Sequence, residues 1–166
     1  METNNTEIYP IAIVGGGLAG LCAAIHLQKS GKQVILFEKK HYPFHRVCGE
    51  YISNETKNYL TKIGLNLEKL DIQKISKFQF TAPSGKSLHY PLDLGGFGLS
   101  RYTLDHELYK IALNCGVHCQ TGTEVESIHY EENQFKIQLS HSNQIIYANY
   151  VLGAYGKRTK LDQYLQ

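Results

Sequence analysis

Ile11-Ala12-Ile13-Val14-Gly15-Gly16-Gly17-Leu18-Ala19-Gly20 decides how the chain reads. An apolar run ends in Gly15-x-Gly17-x-x-Gly20, and an amphipathic stretch follows at once. Gly15 lets the chain turn sharply out of a strand, Gly17 lets a pyrophosphate approach the backbone, and Gly20 lets a helix pack close to that strand. The N-terminus of the following helix would point free N–H groups and its positive dipole end at the phosphates.

The surroundings support that reading. Ile8 to Val14 has the continuous apolar character of a buried parallel strand. Leu18, Leu21, Cys22 and Ile25, with the stem of Lys29, fall on one helical face, and Ser30-Gly31 is a helix stop. Gln33 to Phe37 is a second apolar run closed by Glu38, eighteen positions after Gly20, where an acceptor for a ribose hydroxyl is expected. The plain alternative for Glu38 is a solvated strand end beside Lys39 and Lys40.

The 166 residues suggest one domain with room for a real core. With 42% hydrophobic and 19% charged residues the composition is that of a folded protein, and a formal charge of +2 gives no electrostatic case for nucleic acid or a membrane surface. No apolar run reaches the length of a spanning helix, and the polar, acidic N-terminus reads as neither signal nor transit peptide. Cys22, Cys48, Cys115 and Cys119 show no CxxC spacing, so neither a disulfide framework nor a zinc site is expected, and the cytoplasm is the expected compartment.

Further along, Lys39 to Glu50 reads as a loop. Ser53 is read as an N-cap, with a helix over Asn54 to Ile63 that turns Tyr59, Leu60 and Ile63 inward and ends at Gly64. Lys77–Thr81 and Ser87–Tyr90 form a hairpin outside the main sheet, and Asp93 to Gly98 is expected to be a glycine-rich loop. Thr103 is read as the cap of a helix that Gly116 closes. Val117–Gln120 is a short strand. Glu124–Tyr130, Gln134–Leu139 and Gln144–Ala148 are three antiparallel strands, Tyr150–Ala154 is a separate buried strand, and a last helix starts at Leu161.

The chain resembles the N-terminal FAD-binding part of geranylgeranyl reductase-like flavoproteins, within the group that also holds aromatic hydroxylases and flavin-dependent halogenases. Four segments carry the resemblance: the glycine fingerprint with Glu38; Arg46-Val47-Cys48-Gly49-Glu50-Tyr51-Ile52-Ser53; Leu99-Ser100-Arg101 with Leu104-Asp105; and Val151 to Asp162. The resemblance implies an α/β, Rossmann-like domain of the glutathione-reductase type, with a parallel sheet and an inserted antiparallel β-meander. It implies FAD as cofactor, NAD(P)H as a possible electron donor, and a small-molecule or lipid-like substrate.

By the same resemblance the cofactor-binding set is Gly15, Gly17, Leu18, Ala19, Gly20, Glu38, Lys39, Arg46, Cys48, Arg101, Val125 and Gly156. Cys48, facing the flavin side, is the candidate catalytic group; the plain alternative is a structural thiol. Arg101 would meet a phosphate or the adenosine side, or only pair with Asp105. His41 and His45 are more simply solvated loop residues than proton carriers. Tyr155 stands where the family pattern has Asp. Family members are longer and carry a second Gly-Asp motif and a substrate-covering sheet, so the chain is expected to be the N-terminal portion of a flavoenzyme. Oxygen activation, as in monooxygenases and halogenases, is the alternative to alkene reduction. An NAD-binding Rossmann domain and a non-catalytic remnant are the others.

Overall fold

The computed structural model describes residues 8–142, 144–157 and 161. These form two compact units: residues 1–44 with 105–166, and residues 45–104.

The first unit is built on β1 (Ile8–Val14), α1 (Leu18–Lys29) and β2 (Val34–Glu38). β2 is buried over its whole length. A strand with no solvated face must be covered on both sides, which is why it reads as an unbroken apolar run. α1 buries Gly20, Leu21, Ala24 and Ile25, leaving Leu18 and Cys22 half-buried. It ends as its sequence predicts, with the Lys32 amide bonded to the Leu27 carbonyl around Gly31 at φ +80°.

β6 (His118–Thr121), β7 (Val125–Glu131), β8 (Gln134–Leu139) and β9 (Ile145–Gly153) complete a six-stranded sheet in the order β6-β2-β1-β9-β8-β7. β6, β2, β1 and β9 run parallel, while β9, β8 and β7 run antiparallel. The expected meander is therefore present, with one correction. Its third strand and the separate strand expected at Tyr150–Ala154 are a single strand, β9. β9 pairs with β8 over Ile145–Ala148 and with β1 over Tyr147–Gly153, where Val14 lies beside Gly153. The expected burial of that last part also fails, since Leu152 is 37% exposed. Tyr9, Val14, Phe37, Val125, Ile137 and Leu161 belong to one core cluster, with Tyr155 packed against it. Burying each such side chain contributes about 1.5–3 kcal/mol.

The second unit holds β3 (Tyr51–Ser53), β4 (Gln73–Thr81) and β5 (Ser87–Gly98) in the antiparallel order β3-β5-β4. The Asp93–Gly98 segment is not a loop but the end of β5. Gly96 pairs with Ser53 on one side and Ile75 on the other. The ladder slips there, since Ile75 faces Gly96 while Lys77 faces Pro91, so the extra β5 residues bulge out, with Gly95 at φ +60°.

The helix expected over Asn54–Ile63 is shorter. A 3-10 turn spans Asn54–Thr56, and α2 covers Lys57–Ile63. Leu60 and Ile63 are buried, but Tyr59 is exposed. Ser53 precedes the 3-10 turn without a side-chain cap bond. α3 (Arg101–Asn114) begins two residues before the predicted cap, and Ser100 caps it, its Oγ accepting the Thr103 amide at 3.2 Å. Ser100 and Thr103 are both competent caps, and sequence alone does not separate them. Arg158, Thr159 and the helix expected after Leu161 lie outside the described residues.

Candidate functional site

The glycine turn lies at the C-terminal end of β1. β2 flanks that strand on one side and β9 on the other, so the turn occupies the point where strand order reverses, the usual ligand position of an open α/β sheet. Two backbone bonds continue the ladders past the strand end: the Gly15 amide to the Phe37 carbonyl at 2.8 Å, and the Ala154 amide to the Val14 carbonyl at 2.7 Å.

The sterics of the turn are severe. Gly15 has φ +109°, and a Cβ on it would strike the Ala154 carbonyl. A Cβ on Gly20 would strike the Gly15 carbonyl oxygen. These are the close approaches that the fingerprint requires of its first and third glycines. Gly17 is the N-cap of α1, with φ −80° and ψ −173° and no side-chain cap. The first turn of α1 holds no acidic residue, and Leu18 and Ala19 open it. An uncapped, unopposed helix N-terminus behind a glycine turn fits an anionic pyrophosphate.

Glu38 is not a solvated strand end. It is 5% exposed, and its carboxylate takes the Gly16 amide on Oε2 at 2.9 Å and the Lys40 amide on Oε1 at 3.0 Å. Lys39 points elsewhere: its Nζ pairs with Glu124 Oε1 at 3.4 Å, an exposed contact of little energy.

The end of β2 and the loop after it are tied to the start of the meander. The Thr123 amide bonds the Glu38 carbonyl at 3.0 Å, and His41 Nδ1 lies 3.0 Å from Thr121 Oγ1. His41 is thereby a loop anchor. Val125, the first residue of β7, follows directly and is buried in the same core cluster as Phe37. Gly156, at φ +75° with open space around its Cα, follows the end of β9. Gly15, Gly17, Leu18, Ala19, Gly20, Glu38, Lys39, Val125 and Gly156 thus all belong to the first unit, at or next to the strand ends around the turn.

Arg46, Cys48 and Arg101 belong to the second unit. Cys48 is exposed, and its Sγ accepts the Glu50 amide at 3.4 Å. Arg46 is half-buried, and Arg101 is the first residue of α3. His45 stacks on Tyr102 with ring centroids 4.7 Å apart. The other notable thiol is Cys119, which burial and then the neighbouring Cys115 push up to about 12, leaving it protonated and unreactive at neutral pH. Among the described residues no group of three His, Cys, Asp or Glu side chains gathers to hold a metal ion.

One residue escaped the sequence reading. Tyr42 donates its hydroxyl to the Gly16 carbonyl, and its ring stacks on Tyr109 at 4.3 Å and 17°. A Cβ on Gly16 would strike that hydroxyl and come within 2.8 Å of Glu38 Cβ. The only trace in the sequence is a fourth glycine, Gly16, at a position where the fingerprint tolerates any residue.

The family of FAD binding domains matches residues 8–166. The chain belongs to that family. It is 30% identical to the flavin-dependent halogenase ptaM of Pestalotiopsis fici, over 73% of this chain and 24% of that protein. It is 21% identical to menaquinone reductase of Mycobacterium tuberculosis, over 78% of this chain and 33% of that one. The structure of p-nitrophenol 4-monooxygenase PnpA from Pseudomonas putida superposes with a TM-score of 0.82 at 18% identity, covering 95% of this chain and 43% of PnpA. The chain therefore spans about a quarter to two-fifths of the length of these relatives. FAD is the cofactor of the family, and the expected fold class holds. A specific kinship with geranylgeranyl reductases is not established by the family match. No helix among the described residues is long and apolar enough to cross a membrane.

Proposed function

We propose that this chain is the part of a flavoenzyme that cradles the ADP half of FAD, and that the enzyme uses reduced flavin to activate oxygen on a small organic substrate, in the manner of monooxygenases and halogenases. The observation that supports it is the convergence of the uncapped α1 N-terminus, the glycine turn and the buried Glu38 carboxylate at the reversal of strand order. Gly17 and the first-turn amides of Leu18 and Ala19 would hold the pyrophosphate. Glu38 would accept from the adenosine ribose, and Val125 would offer backbone to the adenine edge. Gly156, Lys39, Arg46, Cys48 and Arg101 complete the proposed set. Bound FAD supplies two-electron redox chemistry, which the protein orients and shields.

Alkene reduction on a lipid-like substrate is the second reading. The Arg46-x-Cys48-Gly49-Glu50 loop favours it, as does the similarity to a menaquinone reductase. NAD(P)H as the electron donor and a cytoplasmic setting belong to either reading.

The visible spectrum of the purified chain, with FAD and NAD titrations, tests the core of the proposal. Flavin bands, or tight FAD binding to the apoprotein, are expected. A protein that takes NAD and ignores FAD would sink both readings. Between them, stopped-flow mixing of the reduced flavoprotein with oxygen decides: rapid reoxidation favours oxygen activation, and oxygen-insensitive reduced flavin favours the reductase.

A further inference from the structure

Two peptide groups flank Gly16, and each is anchored by a different side chain. Glu38 Oε2 holds the Gly16 amide at 2.9 Å, which fixes the Gly15–Gly16 peptide. The Tyr42 hydroxyl holds the Gly16 carbonyl, which belongs to the Gly16–Gly17 peptide. A trans peptide is planar, with its C=O and N–H on opposite sides. Holding the Gly16 oxygen toward Tyr42 therefore aims the Gly17 N–H away from Tyr42. Gly17 is the N-cap of α1, so its amide lies beside the first-turn amides of that helix.

The tyrosine is itself well fixed. Its ring lies nearly parallel to Tyr109 at 4.3 Å, with Phe44 tilted against it at 5.4 Å and Lys40 over the Phe44 ring at 5.2 Å. A hydroxyl held this way imposes a direction on the peptide it binds, and a mobile one would follow it. Tyr42 and Glu38 also explain why residue 16 is glycine, since both crowd the place a Cβ would take.

We propose that Tyr42 is a positioning residue for the pyrophosphate of FAD: its hydroxyl sets the plane of the Gly16–Gly17 peptide, so the Gly17 N–H meets a phosphate oxygen without reorganisation. This rests on the turn being the FAD cradle. It assigns to the loop after β2 a role in phosphate binding that lies outside the glycine fingerprint. Preorganised donors bind more tightly because the ordering is complete before the ligand arrives.

Tyr42→Phe keeps the ring and its stack on Tyr109 and removes only the hydroxyl. Dissociation constants for FAD, ADP and adenosine, measured by calorimetry on the intact chain, read the effect. FAD and ADP are expected to weaken about 5- to 20-fold, the scale of one lost hydrogen bond. Adenosine, which lacks the pyrophosphate, is expected to bind unchanged, and the melting temperature of the apoprotein to move little. Should Tyr42→Phe fold poorly, Tyr109→Ala loosens the ring while sparing the hydroxyl, and the same loss confined to FAD and ADP is expected at smaller size. Unchanged FAD and ADP affinity, or an equal loss for adenosine, would overturn the role of Tyr42 while leaving the cradle intact. Wild-type protein that binds neither FAD nor ADP would overturn the cradle and the proposal together.

Discussion

Gly15-Gly16-Gly17 and Gly95-Gly96 look alike in sequence, yet the first run leaves a strand for a helix and the second stays inside a strand. Their neighbours make the difference. After Gly17 come twelve residues with helical spacing and two anchoring ladders, to Phe37 and Ala154, that stop where the turn begins. Gly96 lies between two partners, β3 and β4, and its backbone pairs with both, while Gly95 stands in the bulge beside it. There a bulge absorbs the positive φ of Gly95, the Tyr51 hydroxyl binds the Gly95 carbonyl at 3.0 Å, and the Asn54 amide binds the Leu94 carbonyl at 2.7 Å. Glycine thus serves a ligand approach in one place and close packing between strands in the other. Composition is the same in both, and the partner decides.

The largest expected effect separates these roles. Gly17→Val places a branched side chain where a phosphate would approach, at a residue whose own φ is ordinary. Flavin occupancy is expected to fall at least about 100-fold, with a stability loss near 1 kcal/mol from the poorer cap. Retained occupancy in the absorbance spectrum would remove the turn from the cofactor site.

Gly20→Ala is next. Its Cβ meets the Gly15 carbonyl oxygen, which is backbone and cannot swing aside. A loss of about 2–3 kcal/mol is expected in denaturant unfolding, because overpacking a tight contact forces the helix off the strand. Unchanged stability would show that α1 is not seated as closely as the glycine turn implies.

The corresponding change in the second unit is Gly96→Ala. That Cβ meets the Tyr51 ring and comes within 2.6 Å of the Ile52 carbonyl oxygen. A loss of about 1–3 kcal/mol is expected, read most directly as faster amide exchange across β3 and β5. Slow exchange retained there would show that the ladder makes room for the added methyl and that Gly96 is not required by close packing.

Much of the first unit was legible because its signals are local and mutually consistent. The apolar runs of β1 and β2, the Ser30-Gly31 stop and the spacing to Glu38 each specify one answer. The failures came where non-local pairing overrides composition. Asp93–Gly98 carries every mark of a loop, and only the flanking strands make it a strand. Tyr150 is exposed in the middle of β9, just past the point where β8 ends and β1 continues, so one strand read as two. In the candidate site, Glu38 was found by spacing, but its burial and its bond to Gly16 depend on how β2 and the turn fold together. Tyr42 was missed because nothing in its neighbourhood sequence points back twenty-six residues to Gly16.

The smallest structural effect is expected at Gly49, and it tests whether a glycine can matter to a ligand alone. Gly49 has no positive φ, and a Cβ there meets nothing within 4 Å. Gly49→Ala should therefore leave the melting temperature unchanged, within about 0.5 kcal/mol of stability. It lies in the Arg46–Glu50 loop proposed to meet the flavin. If that loop does approach the cofactor, the added methyl weakens FAD binding severalfold while ADP, which lacks the flavin, binds as before. Equal FAD affinity in the two proteins would leave Gly49 without a role in either fold or ligand, and would withdraw the loop from the proposed site. The contrast with Gly20 is then complete: one glycine is required by the chain's own backbone, and the other only by what the chain binds.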